Sequence, residues 1–259
     1  MTLDNLELQL ERMPKGSRLI LRDDLYDLSP LKDILEKSAT GKILVSLLDT
    51  GRLSPEELEW LGEFPFSLYT SDAARQDFQV LNHIHLVLEP LGCGLFYFLQ
   101  GELKEDSALW NNVELFQAIY VSGREKDRPL EILARLAEEV SRSRSTLVYY
   151  HHKKPEENLA QVCLKNCWLH ISNKNLEEDA EIMILDLLEE IKKHGGRPVI
   201  HVDRGQSYHF LRRLAEAGAF LEFNLPPLEP DSKVFALAGS WRKKKLPEKA
   251  YYLYREIMA

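Results

Sequence analysis

The 259-residue chain has three cysteines, no apolar run of the roughly 18 residues that a membrane-spanning helix needs, and no excess of positive charge. Each shortage excludes something. Cys93, Cys163 and Cys167 cannot form a disulfide framework in a chain of this length. Cys163 and Cys167 stand four apart in ENLAQVCLKNCW, which predicts one helical face, but structural zinc takes four ligands at tighter loop spacings. They read as buried, inert thiols. The stretch His85 to Leu99 is broken by Glu89, Pro90 and two glycines, so no membrane span is expected. A formal charge of -8 opposes general adhesion to nucleic acid or anionic membrane. The start, MTLDNLELQLERM, is acidic and lacks the basic-then-apolar order of a secretory signal, so a cytoplasmic protein is expected.

Several motifs are also missing. The sequence contains no G-x-x-x-x-G-K-[ST], no G-x-G-x-x-G after the first strand, no G-x-S-x-G and no H-E-x-x-H. Their absence disfavours P-loop nucleotide hydrolysis, serine-hydrolase chemistry and zincin proteolysis. No glycine-rich linker or low-complexity stretch marks a boundary. One domain over 1–259 is expected, with 1–16 as an N-terminal extension and 240–259 as a C-terminal helical segment.

What is present is a repeated pattern of short apolar run, polar break and amphipathic helix. Strands are predicted at Leu19 to Arg22, Ile43 to Leu48, Phe66 to Tyr69, Leu86 to Leu88, Leu95 to Leu99, Ala118 to Val121, Thr146 to Tyr150, Trp168 to Ile171, Val199 to Val202, Phe220 to Phe223 and Val234 to Leu237. Most are continuously apolar, as strands covered on both faces are. Helix ends are equally legible. Ser54-Pro55-Glu56-Glu57 has the form of a capping box, and Asn175 is expected to cap a long helix stopped by Gly195-Gly196. Ala180, Ile184, Leu187, Leu188 and Ile191 form its buried stripe, and Leu133, Leu136 and Val140 form another.

These units predict an α/β fold with a mostly parallel sheet and repeated βα units, (β/α)8 TIM-barrel-like, with an open doubly wound sheet as the alternative, its halves meeting near Glu102 to Ser107. Both architectures collect ligands at the carboxyl ends of the strands. Asp49 and Asp72 stand there, but turn and cap chemistry explains them. His201 is different. In Val199-Ile200-His201-Val202-Asp203 the period of two puts His201 and Asp203 on one face, and a histidine inside a buried strand needs a partner. His170 with Ser172, and Tyr150 with His152, repeat the placement in the two preceding strands. The pair His83 and His85 has an H-x-H spacing that suits a metal if it lies on a strand.

The sequence therefore supports two readings. In one, the protein is a metal-dependent hydrolase of a small anionic substrate such as a phosphoester. His152, His170, His201 and Asp203 are its ligands for zinc, manganese or iron, His201 and Asp203 move protons, and Arg204, Arg242 and Lys243 hold the anion. In the other, the chain is a non-catalytic α/β module that binds a ligand or a protein, with the apolar stripe Leu3, Leu6, Leu10 and Met13 free to serve assembly. A small-molecule ligand is expected, without nucleic acid or membrane; homo-oligomerisation is left open.

Overall fold

The computed structural model describes residues 6, 10–124, 128–177, 180–203 and 206–223. It divides into two compact units, one comprising the residues up to Gly101 with Leu115–Ala118, the other Glu102–Glu114 with the residues from Ile119 onward.

The first unit is a parallel sheet of β1 (Arg18–Arg22), β2 (Leu44–Leu48), β3 (Ser67–Ser71) and β4 (Gly94–Leu99), neighbours in chain order. The register aligns Leu21, Leu47, Leu68 and Leu95 in one row, and all four are buried. Helices follow the first three strands: α1 (Leu28–Thr40), α2 (Pro55–Leu61) and α3 (Phe78–Leu88). Leu31, Ile34, Leu35 and Ser38 give α1 its buried stripe at helical spacing. The capping box of α2 forms as expected, Glu57 N–H donating to Ser54 Oγ and Ser54 N–H donating to the Glu57 carboxylate at 2.8 Å.

One expectation fails in this unit. Leu86 to Leu88 is not a strand but the last turn of α3, which Asp77 caps by accepting from Gln79 N–H. Leu81, Ile84 and Leu88 are its buried positions, a 3–4 spacing that outweighs the short apolar run. His83 and His85 therefore sit two apart on a helix, where side chains do not face one another. They cannot share a metal; His85 Nε2 instead lies 3.7 Å from Glu89.

The second unit has strand order β5 (Ala118–Ser122, from its second residue), β6 (Thr146–His151), β7 (Cys167–Ser172), β8 (Arg197–Val202) and β9 (Phe220–Phe223), and β6 to β9 pair in parallel. Its helices are α4 (Leu130–Arg142), α5 (Glu181–Lys193) and α6 (Tyr208–Glu216). Leu133, Leu136, Ala137 and Val140 bury one face of α4, and Ile184, Leu187, Leu188 and Ile191 one face of α5. Both units thus repeat strand and helix with parallel pairing, the α/β architecture expected.

Three details of this unit differ from expectation. Asn175 does not cap α5, whose N-cap is Ala180; it ends a 3-10 turn, Asn173–Asn175, tied to the sheet through Ser172 and Asn173. Gly195, at φ +78°, does stop α5 as expected. Cys163 and Cys167 do not share a helix, because Cys163 follows a 3-10 turn and Cys167 opens β7. Both thiols are free and buried, and burial pushes Cys167 up to about 12 and Cys163 upward as well, which keeps them unreactive. Leu6 and Leu10 of the N-terminal stripe are buried. No helix among the described residues is long and apolar enough to cross a membrane. Arg204, Arg242, Lys243, the predicted strand Val234 to Leu237, and 240–259 lie outside the described residues.

Candidate functional site

The polar strand ends of the second unit meet because of strand period and register together. Alternation puts Tyr150, His170, Ser172 and His201 on one face of the sheet, and the pairing sets Tyr150 beside His170, Ser172 beside His201 and His201 beside Glu222. Cys167, on the opposite face, has its Sγ 3.9 Å from the Ala137 carbonyl of α4. The histidines thus lie on the face turned away from that helix.

His170 Nδ1 and His201 Nε2 are 2.8 Å apart, and His201 Nδ1 is 3.2 Å from Glu222 Oε2. The two rings are 1% and 6% exposed. Such a bond needs one N–H and one lone pair. The tautomers of the two rings set which of them donates. His170 and His201 thus form a hydrogen-bonded pair with Glu222 at ion-pair distance, and the Tyr150 ring is centred 4.5 Å from that of His170. The three residues also offer donor atoms that all lie within 4.8 Å of one another, a group of His2Glu composition. That is a donor set of catalytic zinc sites, and two histidines with one carboxylate also suit non-haem iron.

Beside this group is a cavity of about 510 Å³ lined by Tyr150, His151, His152, His170, Ser172, His201 and Asp203, with Arg124, Lys174 and Asn175. Asp203 is held from two directions. Ser172 Oγ donates to its Oδ2 at 2.6 Å, and its own N–H donates to Asn173 Oδ1 at 2.8 Å. Asn173 Nδ2 in turn donates to Gln206 Oε1 at 3.0 Å. His151 is engaged by Tyr149 Oη at 3.3 Å and by the Lys154 carbonyl at 3.2 Å. Burial holds its pKa below the ordinary value of 6.5.

All four residues expected as ligands, His152, His170, His201 and Asp203, line this one cavity. Only His170 and His201 belong to the group within coordinating distance; His152 and Asp203 do not, and the third member is Glu222. Glu222 escaped the sequence reading, although it left a signal: in Phe220-Leu221-Glu222-Phe223 a carboxylate interrupts an apolar strand. Arg124 and Lys174 left none, being charged residues in polar loops. Arg204, Arg242 and Lys243, expected to hold an anion, are outside the described residues.

The strand ends of the first unit are differently disposed. Asp49 takes two hydrogen bonds from the Arg75 guanidinium, at 2.6 and 2.9 Å, and a third from Gly51 N–H. Asp72 accepts from Gln100 N–H and Gly101 N–H at 2.8 and 2.6 Å. Asp23 accepts from Thr50 N–H and Oγ1, and its pKa is raised because burial outweighs those bonds.

No protein-family model matches the chain, and no curated protein matches it. Among solved structures it is similar to a D-psicose 3-epimerase studied with D-fructose, at 12% identity and a TM-score of 0.34 over 88% of this chain and 90% of that one. It is also similar to the YdjI aldolase from Escherichia coli K12, at 12% identity and a TM-score of 0.30 over 84% and 92%. A third is a xylose isomerase domain protein from Planctomyces limnophilus, at 12% identity and a TM-score of 0.29 over 94% and 92%. At these scores the chemistry of the site rests on its own residues.

Proposed function

We propose that the protein is a cytoplasmic enzyme that hydrolyses a small anionic substrate, a phosphoester in the simplest case, with a divalent ion held by His170, His201 and Glu222. The observation that carries this reading is the convergence of those three donors from three adjacent strands beside a cavity. A bound zinc, manganese or iron would lower the pKa of water enough to make hydroxide available near pH 7 and would polarise the bond to be broken. His201 faces His170 through Nε2 and Glu222 through Nδ1, so a metal held by all three would require a ring to turn and would replace the His170–His201 hydrogen bond.

The remaining roles fall to residues around the cavity. Asp203, fixed by Ser172 and Asn173 on the wall of the cavity, is the carboxylate that would take a proton from water and return it to the leaving group. Arg124 and Lys174 supply positive charge for the anion, with Arg204, Arg242 and Lys243 as further candidates. The three cysteines, all free thiols, suit a reducing compartment.

The test is metal content of the tag-free protein by elemental mass spectrometry, with Glu222→Gln and His201→Ala beside it. Near-stoichiometric metal that is lost from both folded variants is expected, followed by turnover in a phosphoester screen that the variants lack. Protein that stays metal-free after reconstitution overturns the metal reading. The His170–His201 hydrogen bond favours a second reading, in which that histidine pair, with Glu222 beside it, works without metal as a general base. It requires turnover by metal-free protein, and absence of any turnover leaves a binding module.

A further inference from the structure

A smaller cavity of about 190 Å³ lies at the end of the same strand β6, lined by Gly123, Arg128, Pro129, Leu130, Tyr149, His151, His152, Lys153 and Glu156. It shares His151 and His152 with the larger cavity, so the two adjoin across the last residues of β6. Alternation separates their walls, since Tyr149 belongs to the face toward α4 and Tyr150 to the histidine face. We propose that the smaller cavity is a subsite for a second anionic group, a phosphate or carboxylate on the end of the substrate remote from the bond that reacts.

Three observations support it. Arg128 and Lys153 line the cavity, and Arg128 is only 6% exposed, so its charge acts from a wall where water screens it weakly. A guanidinium there also presents a planar fork that matches phosphate or carboxylate oxygens. His151 adds no charge near neutral pH, being held neutral by burial, while its contacts to Tyr149 and Lys154 fix that side of the wall. Gly123 is the tight point: a Cβ there would lie 3.0 Å from Tyr149 Oη, so a larger residue would disturb the Tyr149–His151 pair.

Glu156 lines the same cavity and is exposed, and Arg128 lines a further cavity of about 270 Å³ together with Glu102 and Lys104. The start of α4 at Pro129 and Leu130, without a side-chain cap, adds the positive end of a 13-residue helix to this wall. A substrate anchored here by one anion would extend past His152 into the larger cavity.

The substrate class rests on the proposed hydrolytic site, whereas the subsite is tested apart from it. Inorganic phosphate is titrated into EDTA-treated full-length protein by calorimetry at low salt, with Lys153→Glu, Arg128→Met, Lys174→Glu and Glu222→Gln in parallel. Lys153→Glu and Arg128→Met are expected to weaken binding by about 10-fold or more, the loss of a hydrogen bond to a charged group. Glu222→Gln is expected to leave it unchanged, whatever that variant does to metal content. Lys153 is exposed, so its variant reads the subsite even if Arg128→Met does not fold. Phosphate affinity that is unaffected by Lys153→Glu, or abolished by Lys174→Glu alone, overturns the proposal.

Discussion

Both units place acidic residues where parallel strands end, yet Asp49 and Asp72 of the first have both oxygens bound within the fold, whereas Asp203 of the second borders a cavity. Asp49 is closed by Arg75 and Gly51, and Asp72 by two backbone amides. In the second unit, Asp203 and the imidazoles of His152, His170 and His201 line a cavity of about 510 Å³. The difference teaches that a carboxylate at a strand end is not a site by virtue of position. Asp49 and Asp72 give both oxygens to donors of the chain itself, and what sets Asp203 apart is the cavity it lines.

The comparison can be broken most sharply at Asp49. Asp49→Ala leaves the buried Arg75 guanidinium without its counter-charge, which is expected to cost about 3–5 kcal/mol in urea unfolding. A loss below about 1 kcal/mol would show that the first unit does not depend on its closed pairs. Asp72→Ala removes two charge-assisted bonds to amides and is expected to cost about 2–3 kcal/mol by the same measurement. Glu222→Gln should act in the opposite manner. Its stability change is expected within about 1 kcal/mol. Its metal affinity, followed by competition with a chelating dye, is expected to fall by more than the roughly 10–100-fold typical of an outer-shell change. A large loss of stability with metal binding intact would make Glu222 scaffold as well.

The smallest effect is a pair of opposed pH slopes. Burial raises the pKa of Asp23, so its contribution to stability is full below the ordinary 3.8 and is lost as pH rises through the folded value. His151 is shifted down from 6.5, so its contribution is full above 6.5 and is lost as pH falls toward the folded value. Asp23→Asn is expected to raise stability at neutral pH, and His151→Gln to flatten the slope below 6.5. Unfolding free energies from pH 3 to 8 check both, and a lowered stability for Asp23→Asn at pH 7 counts against the first.

The parts of the fold that were legible in the sequence are those governed by neighbours along the chain. The capping box at Ser54, the stripe of α5 and its stop at Gly195 each need only a few consecutive residues. Leu86 to Leu88 was misread because three apolar residues are consistent with either period, and the deciding evidence lay upstream in Asp77, Leu81 and Ile84. Asn175 was misread because its turn is held to the sheet by Ser172 and by Asn173, whose partner is Asp203, 30 residues away.

His170, His201 and Asp203 were singled out by residue type and strand period, which are properties of the sequence alone. That alternation determined which side chains share a face. It could not determine which strands stand beside each other or in what register, and a slip of one residue would turn every side chain to the other face. Only the tertiary structure set His201 between His170, 31 residues before it, and Glu222 on the following strand, because pairing is decided by the burial of whole strands and helices. Glu222 became a member of the site through a neighbour it gained on folding.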